Sequence, residues 1–174
     1  AGDVVNSTGA WTVTNSLALT RGTWNAGAFT HLVAGAWNST GVNFTFTAAT
    51  STIQLTSANP NLSTKGLVID PFYNLTLNNG GTLQTSVRAA NNVGITAGTL
   101  SLNNFPLTVG VNLTGAGLAA AGAEAIEVGG NWNITTFTPT TSTVTFTGAG
   151  GAGPFTVTSN AQSFYDVVLN AAGK

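Results

Sequence analysis

The sequence contains no cysteine and no methionine, and it carries very little charge. Its four Lys and Arg and five Asp and Glu make up 5% of 174 residues, against roughly 25% in an ordinary soluble domain. The absence of cysteine excludes a disulfide scaffold and a thiolate metal site. The scarcity of basic residues excludes the electrostatic footprint that a nucleic-acid-binding protein needs.

Long apolar runs are also missing, so the sequence predicts no membrane span. The residues that build solvated helical bundles, Glu, Lys, Arg and Leu, are scarce as well. The chain begins Ala1-Gly2-Asp3 rather than with Met, which suggests a processed or excised product. Together with the lack of thiols, this start favours an extracellular or cell-surface location.

Threonine, glycine and asparagine dominate the composition, with 30, 22 and 19 residues. Short runs alternate apolar and polar residues, as in 43–47 (NFTFT), 52–56 (TIQLT) and 143–147 (TVTFT). This alternation is typical of strands with one buried face, and it predicts an almost all-β chain. Residues 113–128 depart from the pattern, because they are rich in Ala and contain three glycines. We expect a loop or an irregular coil there rather than a helix.

The chain repeats itself over a long period. Residues 15–24 match 91–100, residues 51–56 match 142–147, and residues 72–74 match 164–166. The offset grows from 76 to about 92 across the Ala/Gly-rich insertion at 113–128. The sequence therefore predicts a single repeat-built domain over 1–174, with units at about 15–90 and 91–174.

The second unit stops before its last portion, and residues 1–14 supply the missing part. We therefore expect subunits that stack end to end, or a slice of a longer tandem array. Residues 1–20 of one copy would meet roughly residues 155–174 of the next. The apolar part of that subunit interface is assigned to five residues: Trp11, Val13, Phe155, Phe164 and Val168.

Several strings resemble a known group of proteins: 72–78 (FYNLTLN), 80–82 (GGT), 96–103 (TAGTLSLN), 107–110 (LTVG), 129–133 (GGNWN) and 143–148 (TVTFTG). They are similar to the Asn/Thr/Gly-rich tandem repeats of large secreted β-solenoid proteins on prokaryotic surfaces, of the adhesin and filament kind. The resemblance covers most of the chain and implies an extracellular structural role. The insertion at 113–128 departs from the repeat.

The fold expected from this pattern is a parallel β-solenoid, that is, a β-helix of short strands. The alternative is a pair of tandem β-sandwich domains of about 90 residues each, a normal size for that class. The leading functional hypothesis is a non-enzymatic filament subunit whose partners are copies of itself, head to tail. The alternative is an adhesin segment that presents exposed aromatics, such as Trp24 or Trp37, to surface glycans.

A polysaccharide-acting β-helix enzyme is a third hypothesis, because Glu124 and Glu127 form a close carboxylate pair. We expect solvated positions for both, with their side chains on opposite faces if the segment is a strand. His31 has no carboxylate or second histidine nearby in sequence, so a surface or packed strand position is expected. Asp3, Asp70 and Asp166 are isolated, which makes a calcium site improbable and leaves no cofactor or metal predicted.

Three further patterns have ordinary interpretations. Residues 148–153 are glycine-rich but lack the Lys-Ser/Thr of a phosphate loop, so we expect a turn. Thr143, Thr145 and Thr147 could belong to a flat ice-binding face, although the repeats keep this spacing only in part. Seven Asn-x-Ser/Thr sequons are candidate glycosylation sites on a surface fibre: Asn6, Asn38, Asn43, Asn61, Asn74, Asn112 and Asn133.

Overall fold

The computed structural model describes residues 3–69, 71–151 and 154–170. Within these ranges the chain has no helix, and 21 strands wind into a β-solenoid of about eight turns. All of the strand pairings are parallel. The predicted parallel solenoid is therefore confirmed, and the tandem β-sandwich alternative is wrong, because sandwich sheets are antiparallel.

Each turn passes through three faces in the same order. The first face contains β2 (Thr12–Val13), β5 (Thr30–Val33), β8 (Thr52–Ala58), β10 (Asn74–Asn79), β13 (Val93–Ile95), the first halves of β16 (Leu113–Ala119) and β18 (Trp132–Thr138), and β20 (Val157–Thr158). The second face contains β3 (Leu17–Ala18), β6 (Trp37–Asn38), β9 (Asn61–Ser63), β11 (Gly81–Leu83), β14 (Leu100–Ser101) and the second halves of β16 and β18.

The third face is divided into two sheets. One sheet contains β1 (Val4–Asn6), β4 (Arg21–Asn25) and β7 (Asn43–Thr47). The other contains β12 (Val87–Ala89), β15 (Leu107–Val109), β17 (Ala125–Val128), β19 (Thr143–Phe146) and β21 (Asp166–Leu169). We number the turns by their first-face strands: turns 1 to 8 begin at β2, β5, β8, β10, β13, β16, β18 and β20.

Equivalent strand residues stack in register although the number of residues per turn varies. Thr76 pairs with Gly94, 18 residues later, and Asn133 pairs with Thr158, 25 residues later, so the extra residues lie between the strands. Parallel strands in such a stack lie about 4.8 Å apart. Each residue therefore meets its counterpart one turn away, and side chains form rows along the solenoid axis.

The rows that point inward form a continuous apolar core. On the first face, one row runs through Ile53, Leu75, Val93, Leu113 and Trp132, all of them buried. On the third face, a row of Val87, Leu107, Ile126 and Val144 is fully buried. The alternation noted in the sequence places these side chains inside because successive residues of a strand point to opposite faces.

An asparagine ladder lies at the corner that leads into the first face. Asn92 Nδ2 donates to Asn74 Oδ1 (3.4 Å), Asn112 Nδ2 donates to Asn92 Oδ1 (3.0 Å), and Asn131 Nδ2 donates to Asn112 Oδ1 (2.9 Å). The backbone N–H groups of Asn92, Asn112 and Asn131 also donate to these oxygens, and that of Thr156 donates to Asn131 Oδ1. The ladder satisfies corner groups from turn 4 to turn 8 that strand pairing leaves open.

A column of glycines accompanies this ladder. A Cβ atom on Gly129 would lie 1.9 Å from the carbonyl oxygen of Gly110, and one on Gly110 would lie 2.0 Å from that of Ala90. Successive corners are therefore too close to accommodate any other residue at these two positions.

The Ala/Gly-rich segment at 113–128 forms strands of one further turn, so the expected loop is wrong and the expected irregular extra coil is instead regularly paired. It contains β16 and β17, which are paired on both sides with neighbouring turns. Gly115 has a φ of 144° and lies within 2.3 Å, measured from its virtual Cβ, of the Ile95 carbonyl oxygen. The glycines are therefore required by the close approach of turns, and they do not mark a break in the strand.

The two sequence repeats occupy different faces of the solenoid. Residues 52–56 lie in β8 on the first face, whereas their counterparts at 143–146 lie in β19 on the third face. In the same way, Trp37 is on the second face and Trp132 on the first. The second copy is thus shifted by one face, because the offset does not equal a whole number of turns.

We expect the ladder to stabilise the fold measurably. Asn112→Ala removes its side-chain donor and acceptor and leaves the backbone N–H of Asn131 without its partner. The expected loss is about 2 kcal/mol of unfolding free energy, since each net hydrogen bond contributes about 1 kcal/mol. Urea denaturation measures it. Asn43→Ala is the matched control, because Asn43 is exposed and outside the ladder; an equal loss in both variants would contradict the assignment.

Candidate functional site: the two ends and a lateral cleft

The apolar core is only partly covered at both ends of the solenoid. The buried third-face row ending at Val144 continues to Val167, which is 47% exposed, and the row ending at Phe146 continues to Leu169, which is 72% exposed. On the first face, the row that includes Trp132 continues to Val157, which is 38% exposed. These side chains extend the inward rows of the core, and within the described residues no further turn covers them.

The opposite end has the same feature. Val5 pairs with Trp24, whose side chain is buried, yet Val5 is 44% exposed. Val4, next to it, is exposed as well. Among the described residues, the strands β1, β2 and β3 pair only on their inner sides, as do β20 and β21 at the other end. Both ends therefore combine unpaired main-chain edges with uncovered apolar side chains.

The five predicted interface residues lie at these ends, where four of them cap the core. Trp11 stacks on Trp24, with ring centroids 4.8 Å apart, and Phe155 stacks on Phe146 at 5.7 Å. Phe164 packs against Trp132 at 5.3 Å. Val13 is half-buried on β2.

Val168 is the fifth predicted residue, and it is exposed on β21 in the outward row that contains Thr145. Sequence reasoning missed the inward neighbours Val167 and Leu169. Alignment of residues 166–169 with residues 143–146 would have identified them. Val167 and Leu169 then correspond to Val144 and Phe146, whose side chains point into the core. The last predicted contact residues, 171–174, and the first, 1–2, lie outside the described residues.

His31 is a packed core residue, in agreement with the expectation of a structural role. It is buried, its Nδ1 accepts a hydrogen bond from the Trp11 backbone N–H (3.1 Å), and its Nε2 donates to the Ala26 carbonyl oxygen (2.9 Å). Its ring also contacts Trp24, at 5.0 Å between centroids. Both ring nitrogens are therefore engaged in hydrogen bonds to the main chain.

Trp24 and Trp37 are buried, which corrects the expectation that they are exposed glycan-binding aromatics. The indole N–H of Trp24 donates to Ser7 Oγ, and that of Trp37 donates to Ser39 Oγ. The alternation within β4 and β6 turns both rings into the core. The sequence alone did not distinguish the inward from the outward side of these short strands.

The expectation that Glu124 and Glu127 are both solvated is wrong for Glu124, which lies just before β17. Glu124 is buried, and its carboxylate accepts hydrogen bonds from the backbone N–H groups of Asn104, Ala121 and Gly122 at 2.9, 2.7 and 2.9 Å. Glu127 points outward from β17 and is exposed. Backbone N–H groups therefore occupy the Glu124 carboxylate, whereas the Glu127 carboxylate faces outward.

The backbone N–H groups around the Glu124 carboxylate form a cage of hydrogen-bond donors that determines its pKa. Burial by itself raises the pKa of the Glu124 carboxyl, but the backbone hydrogen bonds from Ala121, Gly122 and Asn104 more than offset it. The pKa of Glu124 therefore lies below its ordinary value. By binding Asn104 of turn 5 and Ala121 and Gly122 of turn 6, the carboxylate links these two turns at the corner between the second and third faces.

Other candidate positions are spread along the chain. Asp3 and Asp166 are exposed at opposite ends, and Asp70 lies outside the described residues. In the part of the chain that the structure describes, no group of three His, Cys, Asp or Glu side chains is placed to hold a metal ion.

Of residues 148–153, Gly150 belongs to the corner column and donates to Gly129, while 152–153 are not described. Thr143 and Thr145 point outward from β19.

The candidate glycosylation sites fall into two groups. Asn74 and Asn112 are half-buried members of the asparagine ladder, so a glycan there would disrupt it. The other five sequon residues are exposed: Asn6, Asn38, Asn43, Asn61 and Asn133.

A cleft interrupts the third face at turn 3. Residues 64–69 occupy the position of a third-face strand but form none, so β7 and β12 are not joined. The resulting cavity has a volume of about 1270 Å³. Its lining includes hydroxyl groups, a cation and a half-buried ring: Thr20, Arg21, Thr40, Thr85, Ser86 and Phe105. The Nζ of Lys65 donates to the Phe44 carbonyl oxygen at the edge of β7.

Comparison with known proteins identifies no relative: no protein family, no curated protein and no solved structure matches the chain. Among the described residues, no helix has the length and apolar character needed to cross a bilayer.

The cage around Glu124 predicts a pH dependence of stability. Its folded-state pKa is lowered, so its contribution is present above the unfolded-state pKa of about 4.3 and is lost as the pH falls through the folded value. Glu124→Gln should lower the unfolding free energy at pH 7 by about 2 kcal/mol and flatten the acid dependence. Urea denaturation from pH 2 to 7 measures both effects. Glu127→Gln is the control, and an identical profile for the two variants would contradict the prediction.

Proposed function

We propose that this protein is a structural subunit of an extracellular filament, and that copies stack end to end through their terminal turns. One observation carries the proposal: the inward rows of the core end in exposed residues, Val5 at one end and Val167 and Leu169 at the other. A second copy placed on either end would cover them. Burial of each such side chain contributes about 1.5–3 kcal/mol.

The two ends differ, which favours a head-to-tail contact. One end presents three short strands, β1, β2 and β3, while the other presents β20 and the four-residue β21. A contact between unlike surfaces is heterologous, and it generates an open filament unless rotation closes it into a ring. Main-chain hydrogen bonds across the junction would continue the pairing that already joins the turns.

The distribution of charge supports stacking. Within the described residues, no strand of the first or second face contains Asp, Glu, Lys or Arg. Rows of like charges at a spacing of about 4.8 Å would repel one another. Uncharged Thr and Asn rows avoid this repulsion, and they remain compatible with continuing the same rows into the next copy. An extracellular location agrees with the absence of cysteine and with the five exposed sequons.

A second candidate function is a surface-binding module that recognises a glycan. The observation that favours it is the cleft at turn 3, whose hydroxyl groups and half-buried Phe105 provide hydrogen-bonding and stacking partners for a sugar ring. In this alternative the binding residues are those of the cleft, because Trp24 and Trp37 are buried.

End-to-end stacking predicts that an inward charge at one end blocks assembly. Leu169→Lys places a cation over the core row that a second copy would cover, so filaments should disappear by electron microscopy and the chain should sediment as a small species. Thr158→Lys is the matched control, because Thr158 points outward from the same terminal turn. Filament loss in both variants, or dispersed wild-type monomers, would count against the proposal.

A mixing experiment identifies the kind of contact. Val5→Lys blocks the other end, so an equimolar mixture with Leu169→Lys should form heterodimers from the one intact junction. Native mass spectrometry distinguishes the two variants by mass. Dimers of either variant alone that persist at high salt would instead indicate an apolar contact between like ends.

The glycan alternative predicts binding by the Leu169→Lys chain on a glycan array, with loss of the signal when Thr85→Val and Arg21→Ala are introduced in the cleft. Thr108→Val, outside the cleft on the same face, is the control. No saturable binding, or binding unaffected by the cleft substitutions, would exclude this candidate.

A further inference from the structure

The charged side chains of the described residues are all confined to the third face and its corners. They are few enough to name together: Asp3, Arg21, Lys65, Arg88, Glu124, Glu127 and Asp166. Glu124 is buried in its cage of backbone N–H groups, and Lys65 binds the Phe44 carbonyl oxygen. The exposed charges that remain therefore lie on one side of the molecule.

With the exception of Asp3, these exposed charges are also separated by sign along the solenoid axis. Arg21 and Arg88 lie on turns 1 and 4, whereas Glu127 and Asp166 lie on turns 6 and 8. Turn 5, which contains β15, is the midpoint between Arg88 and Glu127. Asp3 precedes β1, beyond turn 1 at the outermost end.

One outward row has the symmetry of a two-fold contact. It runs Arg88, Thr108, Glu127, Thr145 and Val168. Arg88 and Glu127 are two strand spacings apart, about 10 Å, with Thr108 between them. A two-fold axis along the strand direction at Thr108 would place Arg88 opposite Glu127 of the partner subunit, and the same contact would form a second time by symmetry.

One exposed apolar position of this face follows the same symmetry. Away from the ends, the large exposed apolar side chains among the described residues are Val42, Val68 and Ile69, on turns 2 and 3. A two-fold axis at turn 5 brings turn 2, with Val42, opposite turn 8, where Tyr165 and Val168 are exposed. Turn 3 then lies opposite turn 7, whose outward third-face residues Thr143 and Thr145 are uncharged.

We propose that the third face is a lateral docking surface for a second copy of this chain, in antiparallel orientation with turn 5 at the two-fold axis. Such an isologous contact uses the same patch on both subunits and closes as a dimer. It differs from end-to-end stacking in its surface, its symmetry and its dependence on charge. Complementary charges fix the register of a contact and suppress wrong pairings.

The test uses the full chain with Leu169→Lys, so that end-to-end stacking cannot contribute. Sedimentation equilibrium should show dimers whose dissociation constant rises with salt, because exposed charge pairs are screened. Arg88→Glu and Glu127→Arg should each weaken dimerisation by about tenfold or more, since each creates two like-charge contacts per dimer.

Mixing decides the geometry. An equimolar mixture of the Arg88→Glu and Glu127→Arg chains should restore dimers, because both cross-contacts become attractive, and the double variant should dimerise by itself. Thr114→Glu on the first face is the control and should leave dimerisation unchanged. Monomers under all conditions, or charge variants that dimerise as well as their parent chain, would overturn the proposal. Because stacking is blocked throughout, these outcomes are independent of filament formation.

Discussion

In-register pairing of the main chain between successive turns is the constraint on which the rest of this molecule depends. Once turns are fixed about 4.8 Å apart, every residue has a counterpart directly above and below it. Inward counterparts must then form continuous apolar rows, and corners must accommodate the same close approach at every turn. Gly110 and Gly129, which have no room for a side chain, are a direct result of that spacing.

The same spacing favours axial rows of asparagine and disfavours axial rows of charged residues. An amide carries both a donor and an acceptor, so one asparagine can bind the next along the axis indefinitely, as Asn92, Asn112 and Asn131 do. A charged group repels its own counterpart and can appear only where a row changes identity. Arg88 and Glu127 satisfy this condition because each of them pairs with the uncharged Thr108 and not with a residue of its own charge. The uncharged composition thus follows from the geometry of stacking.

Alternation and the long repeat favoured the parallel solenoid, but they left the tandem β-sandwich open because strands of both folds have one buried face. The inward side of strands only two to five residues long was harder to predict, which is why the burial of Trp24 and Trp37 was missed. The strands at 113–128 were missed because their glycines reflect contacts with neighbouring turns, which sequence does not display. The asparagine ladder was accessible, however: Asn92, Asn112 and Asn131 recur at the spacing of one turn.

The missing third-face strand of turn 3 has a mechanical consequence. On the first and second faces, pairing is continuous through β5, β8 and β10 and through β6, β9 and β11, whereas β7 and β12 on the third face are not joined. A rod that is bonded on two sides and open on the third bends by opening or closing the open side. If copies stack with β1 on β21, the third face contributes nine levels per copy, and the cleft recurs about every 43 Å along the axis. The fibre would then be hinged at regular intervals, with all hinges set by one irregular turn per subunit.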